Sequence, residues 1–242
     1  MLRRRIIPFL LIDKKGDCIK TTQFNNRKYI GDIFNNIRIF NEKKADEIVV
    51  LDIDASKNNT EPNFDTINKI ASACRMPLTY GGGVNSLKVA KKIIGLGVEK
   101  ICINSLALKT IDLIKIISDE IGSQSLSVSI NIKIMDNKFY IMDNCNNLMN
   151  INFIDYLKKV QNNGAGEIIL NSVDDDGSMK GYNFEILNSF LKHINVPSIF
   201  LGGCSSLENI KNLFDSFENI AAGCSSLFIY KGKFRAVLIS YP

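Results

Sequence analysis

The chain carries an internal repeat at an offset of 120 residues, and that repeat limits what it can fold into. EIVVLDIDAS, from Glu47, aligns with EIILNSVDDD, from Glu167. At the same offset Asp54 meets Asp174, Asn63-Phe64 meets Asn183-Phe184, and Pro77 meets Pro197. Gly82-Gly83 meets Gly202-Gly203, and Ser105 meets Ser225. One offset that aligns turn formers, acids and hydroxyls across both halves marks two copies of one structural unit.

Each half alternates short apolar, β-branched runs with helical stripes. The runs predict strands at 5–11, 47–52, 78–81, 100–104, 126–132, 167–171, 198–201 and 220–224. The stripes are Ile33, Ile37 and Phe40; Phe64, Ile67 and Ala71; Phe153, Tyr156, Leu157 and Val160; and Leu207, Ile210 and Phe214. Eight βα units in two equivalent halves predict a closed (β/α)8 barrel, with half-barrels at about 1–120 and 121–242. A doubly wound open sheet is the alternative, but its halves have no need of equivalent glycines. Only FIYKGKFRAVLISYP follows the last strand, so the eighth helix should be short. With 242 residues, 45% hydrophobic, and no linker-like shift in composition, a single domain with its own core is expected.

Composition excludes several classes of function. MLRRRIIPFLLID imitates a signal peptide, but its apolar run is short, contains Pro8 and meets Asp13, Lys14 and Lys15 in place of a cleavage site. No apolar segment approaches a membrane span, and a cytosolic location is expected. The six cysteines are scattered without a CxxC pair, and His193 is the lone histidine. That pattern predicts neither a metal site nor a disulfide framework, and no cofactor is implied. The net charge of +5 comes with no basic stripe interleaved with aromatics, which argues against nucleic acid as a partner. A mild positive balance suits an anionic small molecule. The three adjacent acids Asp174, Asp175 and Asp176 should diverge in direction and face solvent rather than hold a metal.

The glycines and serines of the repeat fall at strand exits, on one barrel face. Gly82-Gly83 follows the third strand and Gly202-Gly203 the seventh. Asn104-Ser105 follows the fourth and Ser225-Ser226 the eighth. Backbone N–H groups left open by glycine, with hydroxyl donors beside them, form an anion cradle. One such site alone would be read as a tight βα turn. Two matched sites across one mouth point to a ligand with phosphates at both ends.

RIIPFLL, LDIDAS, YGGGV, KICINS, GSQS, NNGAGEI and DDDG, with the GG and SS pairs, resemble the cyclase subunit of imidazole glycerol phosphate synthase (HisF) over essentially the whole chain. The resemblance implies a (β/α)8 barrel that binds a bisphosphate ribonucleotide. It also implies a glutaminase partner, docked on the barrel base, that supplies ammonia. Two family aspartates do acid–base work at equivalent exits, and the matching positions here are Leu11 and Asn131, neither of which can titrate usefully. A positioned acid or base contributes about 10²–10⁴-fold, so ordinary cyclase turnover is not expected. Segment 140–150 departs from the family's glycine- and lysine-containing loop, while Lys20 matches a mobile-loop lysine. Asp176 and Gly177 match substrate-side positions.

Arg5, Glu47, Lys100 and Glu167 open strands one, two, four and six and match the family's charged ring at the barrel floor, the ammonia gate. Glu99 matches an acidic residue of the glutaminase interface. Leu11 and the tail GKFRAVLISYP resemble a paralogous branch linked to amidation of surface-polysaccharide sugars, although that branch usually keeps the second aspartate. The implied function is therefore a glutaminase-coupled barrel delivering ammonia for sugar amidation, with a sugar amidotransferase as a further partner. The alternatives are a working cyclase of histidine synthesis that uses Asp13, Asp176 or ordered water instead, a sister isomerase without a glutaminase, and a non-catalytic phosphosugar-binding module.

Overall fold

The computed structural model describes residues 4–241. Eight parallel strands close on themselves: β1 (Ile6–Ile12), β2 (Ile48–Asp52), β3 (Leu78–Gly81), β4 (Lys100–Ile103), β5 (Leu126–Met135), β6 (Glu167–Ser172), β7 (Ser198–Leu201) and β8 (Ile220–Cys224). Each is hydrogen-bonded to the next, and β8 returns to β1 through Ile6↔Ala222, Ile7↔Gly223 and Pro8↔Cys224. The architecture is a (β/α)8 barrel, as the repeat predicts.

The helices form where the apolar stripes lie. Ile33–Glu42 buries Ile33, Ile37 and Phe40, and Phe153–Asn162 buries Phe153, Tyr156, Leu157 and Val160. Their starts are fixed by side chains that accept the free N–H groups of a first helical turn, a contact worth about 1 kcal/mol. The repeat reappears in these caps. Asn63 and Asn183 cap helices Phe64–Ala73 and Phe184–Phe190, while Ser86 and Ser206 cap Leu87–Gly95 and Leu207–Ser216. The helix after β8 is only Ser226–Ile229.

Alternation along the strands divides the apolar side chains between two cores. Leu10, Ile12, Val50, Ile168 and Leu170 face outward under the helices. Ile7, Phe9, Val49, Cys102, Ile169, Ile199 and Ala221 fill the barrel interior, with Leu51 and Leu201 against them.

Three features depart from the sequence reading. A hairpin, Asp17–Thr22 with Asn25–Asp32, continues antiparallel from β1 over the barrel mouth. The fifth strand runs three residues beyond its expected end, to Met135, because Lys138–Met142 folds back on it and Leu148–Met149 adds to that edge. Most of segment 140–150 is thus strand and tight turn rather than open loop. Finally, the tail folds as a small two-stranded element, Tyr230–Lys231 with Ala236–Val237. Among the described residues, no helix is long and apolar enough to cross a membrane.

Candidate functional site

The strand exits and the hairpin enclose a cavity of about 250 Å³. Leu11, Leu51 and Leu201 form its apolar floor, above the interior core. Its polar wall includes Asn104, Ser105, Asn131 and Asn171 from the barrel, and Lys20, Thr21 and Arg27 from the hairpin.

Leu11 and Asn131 both face this cavity. Asn131 is 4% exposed and its side chain is fully engaged. Its amide donates to the Met142 carbonyl and to Asn144 Oδ1, each at 3.3 Å, and its oxygen accepts from Asn171 at 3.1 Å. Because the Met142 carbonyl can only accept, this chain fixes the orientation of both amides and leaves Asn171 Oδ1 without a partner.

Asp13, the acid two residues after Leu11, does not line the cavity. It lies one residue past β1, where its carboxylate accepts from the backbone of Lys15 and Asp17 and caps a turn outside the cavity. Two carboxylates do reach the cavity. Asp52 ends β2, and its Oδ1 accepts from the backbone N–H groups of Asp54 and Ala55. Burial holds its carboxyl above the ordinary range against those two bonds. Asp176 is bound to the hairpin, with Lys20 Nζ at 2.7 Å and Thr21 Oγ1 at 3.0 Å.

The neighbouring acids diverge as expected but are not simply solvated. Asp174 pairs with Lys133 and accepts from the Ile134 backbone, and Asp175 accepts from Ser172 Oγ at 2.6 Å. Among the described residues, no group of three or more His, Cys, Asp or Glu could hold a metal ion. His193 ends a 3-10 turn, and its carbonyl accepts from Gln161.

The two predicted cradles occupy equivalent places. Gly82, Gly83, Asn104 and Ser105 line the main cavity. Gly177, Gly202, Gly203, Ser225 and Ser226 line a small adjoining one, which Lys20 and Asp176 share. The glycines are demanded by close approach. Gly82 and Gly202 hold φ of +118° and +110°, and a Cβ on either would collide with a backbone carbonyl, that of Asp52 or of Ser172. Those two carbonyls are themselves one repeat apart. Asn104 Oδ1 and Ser225 Oγ are buried without partners, which leaves polar capacity at both cradles.

At the opposite end of the barrel, four charges form a closed ring. Arg5 reaches Glu47 at 2.6 Å and Glu167 at 2.8 Å, and Lys100 reaches the same two carboxylates at 3.3 Å each. Ser127 donates to Glu167 at 3.0 Å. The side chains are 5–20% exposed, so these are not ordinary solvated strand starts. Both glutamates stabilise the Arg5 guanidinium and raise its pKa despite the opposing effect of burial. Glu99, on the rim, accepts from the Leu78 backbone at 2.7 Å.

Sequence reasoning missed Asn171, Asp52, Arg27 and Thr21. A signal for Asn171 was present: stepping inward by two from Glu167 through Ile169 reaches Asn171 at the mouth. Nothing comparable marks Thr21 and Arg27, whose place depends on contacts 155 and 27 residues away in sequence.

A closed barrel of eight parallel strands with a cavity at their carboxyl ends belongs to the (β/α)8 class, whose enzymes carry their sites at that face. Within that class the chain belongs to the family described as histidine biosynthesis protein, which matches residues 5–235. A relative from Leptospira borgpetersenii, "Putative imidazole glycerol phosphate synthase subunit HisF", is 46% identical over 100% of this chain and 96% of its own length. One from Pseudomonas aeruginosa, "Putative imidazole glycerol phosphate synthase subunit hisF2", is 43% identical over 100% and 97%. The "Imidazole glycerol phosphate synthase subunit HisF" of Lactococcus lactis is 38% identical over 95% and 90%. The chain is a HisF-like barrel whose relatives include paralogue-type members.

Proposed function

We propose that this barrel is the ammonia-conducting subunit of a glutamine-dependent amidotransferase, serving sugar amidation in surface-polysaccharide synthesis rather than ring closure in histidine synthesis. The observation that carries this reading is the contrast between the two ends of the barrel. The floor keeps a complete charge ring, while the mouth has Leu11 and Asn131 where acid–base groups would stand.

A glutaminase docked on the Glu99 side would release ammonia against the ring. Lys100 is the weaker-held cation, with both bonds at 3.3 Å, and its displacement would open the floor while Arg5 keeps the glutamates paired. Above it, Ile7, Phe9, Val49, Cys102 and Ile169 offer no charged partner. Such a lining favours neutral ammonia over ammonium, whose desolvation is costly. At the mouth, a leucine and a hydrogen-bonded asparagine cannot take a proton from a substrate carbon. The cradles would then hold a phosphorylated ligand or survive as inherited scaffold.

The test uses purified protein, excess ammonium salt and the cyclase family's bisphosphate ribonucleotide, following substrate loss. No turnover is expected, with activity appearing in the Leu11→Asp/Asn131→Asp variant. Turnover by the unmodified chain would sink the proposal. A paired assay adds a HisH-type glutaminase partner, whose glutamine hydrolysis should rise on complex formation.

A second reading, a working cyclase, draws on the names of the relatives and on Asp52 and Asp176 at the cavity. It is weakened by the engagement of Asp176 with Lys20 and Thr21.

A further inference from the structure

Two thiols meet behind the second cradle. Cys204 directly follows Gly202-Gly203, and Cys224 ends β8 directly before Ser225-Ser226. Their sulfurs lie 3.3 Å apart, with the Cys224 thiol donating to Cys204. The Tyr182 hydroxyl donates to the Gly223 carbonyl at 3.0 Å and sits 3.2 Å from the Cys224 sulfur. Both cysteines are buried, yet Cys204 lines the small cavity with Lys20, Gly202, Gly203 and Ser225. That cavity has room for about one water-sized molecule.

The pair is chemically differentiated. Burial pushes the Cys224 thiol up, so it keeps its proton. The hydrogen bond it gives holds the Cys204 thiol below the ordinary range despite burial. By contrast, burial pushes Cys18, Cys74 and Cys102 up to about 12.

We propose that Cys204 and Cys224 are a reversible redox pair, closed to a disulfide by a hydroperoxide, and that closure disables the adjoining cradle. The Cys204 thiolate attacks the O–O bond, forming an S–O bond and releasing hydroxide, which takes a proton to become water. The Cys224 sulfur then attacks the Cys204 sulfenic acid. An S–S bond forms, the S–O bond breaks, and the departing hydroxide takes the Cys224 proton. In sum, two thiols lose two electrons and two protons, and hydrogen peroxide is reduced to two waters.

The mechanical consequence follows from bond length. A disulfide is about 2.05 Å long, so sulfurs now 3.3 Å apart must close by about 1.3 Å. Each cysteine is covalently joined to a cradle residue, Gly203 or Ser225. The loop is closely packed, because a Cβ on Gly202 would collide with the Ser172 carbonyl and one on Gly203 with that of Gly181, and Gly181 N–H donates to the Gly203 carbonyl at 2.8 Å. The shift therefore passes into the N–H groups of the cradle. This coupling rests on reading that loop as a phosphate site; the redox chemistry does not.

The test uses full-length protein carrying Cys145→Ser, which removes the exposed thiol. After hydrogen peroxide treatment and non-reducing digestion, mass spectrometry should find a Cys204–Cys224 linked peptide that dithiothreitol reverses. Cys224→Ser should stop at a Cys204 sulfenic acid captured by dimedone, and Cys204→Ser should leave Cys224 unmodified. Absence of both the link and the dimedone adduct would overturn the redox pair. Titration with inorganic phosphate should show about tenfold weaker binding after oxidation. Hydrogen exchange at 202–206 and 223–227 should quicken on oxidation, and unchanged exchange would overturn the coupling. Failure of the reduced protein to bind phosphate would count against the cradle reading alone, since the exchange and cross-linking results still judge the pair.

Discussion

Asn171 donates its side-chain amide to Asn131 at 3.1 Å, and that bond joins β5 to β6 over the barrel interior. It completes a neutral chain running from Asn171 through Asn131 to the Met142 carbonyl. The chain holds no titrating group and leaves only Asn171 Oδ1 without a partner.

Restoring acid at that place should be costly by itself. Asn131→Asp keeps the bond from Asn171 but turns a negative oxygen toward the Met142 carbonyl and Asn144 Oδ1. The expected loss is about 2 kcal/mol at pH 7, read as a lower urea midpoint. The new carboxyl should titrate above its unfolded value of about 3.9. Its penalty relative to the parent should therefore shrink as pH falls from 7 toward 5.

The floor ring predicts an asymmetry among its members. Removing one glutamate, as in Glu167→Ala, leaves Glu47 alone against the two half-buried cations Arg5 and Lys100 and should cost about 3 kcal/mol. Lys100→Met, which leaves Arg5 bridging the two glutamates, should cost less. Equal losses in urea denaturation would show that the ring does not act as described.

Asp52 and Asp54 should respond to pH in opposite senses. The Arg27 hydrogen bonds hold the Asp54 carboxyl below its ordinary range. Its contribution is present above the unfolded pKa of about 3.9 and is lost as pH falls through the folded value. Asp54→Asn should cost about 1 kcal/mol at pH 7, since half-exposed Arg27 is screened by solvent, and close to nothing in acid. Burial raises Asp52, so its contribution is present below about 3.9 and lost as pH rises through the folded value. Asp52→Asn, which keeps the acceptor for Asp54 and Ala55, should be no less stable than the parent at pH 7. Thermal unfolding from pH 3 to 7 distinguishes the two.

Gly82→Ala and Gly202→Ala should be matched in effect. Each puts a Cβ against a carbonyl at the same place in its half, at a φ that alanine rarely adopts. Each should cost more than about 1 kcal/mol. An unequal pair, measured by denaturant midpoint, would show that the halves have diverged in how tightly their cradles are built.

The barrel was legible because its signals are local and repeated. Strand runs such as IIPFLL and EIVVLD, and stripes such as Ile33, Ile37 and Phe40, each reflect burial on one face. A single offset then fixed how many units there are. The hairpin over the mouth was not legible. Its strands, DCIKTT and NNRKYIGD, carry mostly polar residues, the second largely exposed, and they are held by side chains far away in sequence, Arg27 on Asp54 and Lys20 on Asp176. The ring residues could be matched by position, but only the fold shows that all four close on each other. The thiol contact between Cys204 and Cys224 depends on the lateral neighbourhood of β7 and β8, which spacing alone does not reveal.

The ring also bears on synthesis of the chain from its amino end. Arg5, Glu47 and Lys100 belong to the first half-barrel, and Glu167 to the second. A nascent chain with only its first half outside the ribosome holds two floor cations against one anion. The missing negative charge arrives with the sixth strand, so the floor reaches electrical balance late. A first half folded ahead of its partner would carry an unmatched cation at its seam, and this favours waiting for its own second half over pairing with another copy of itself.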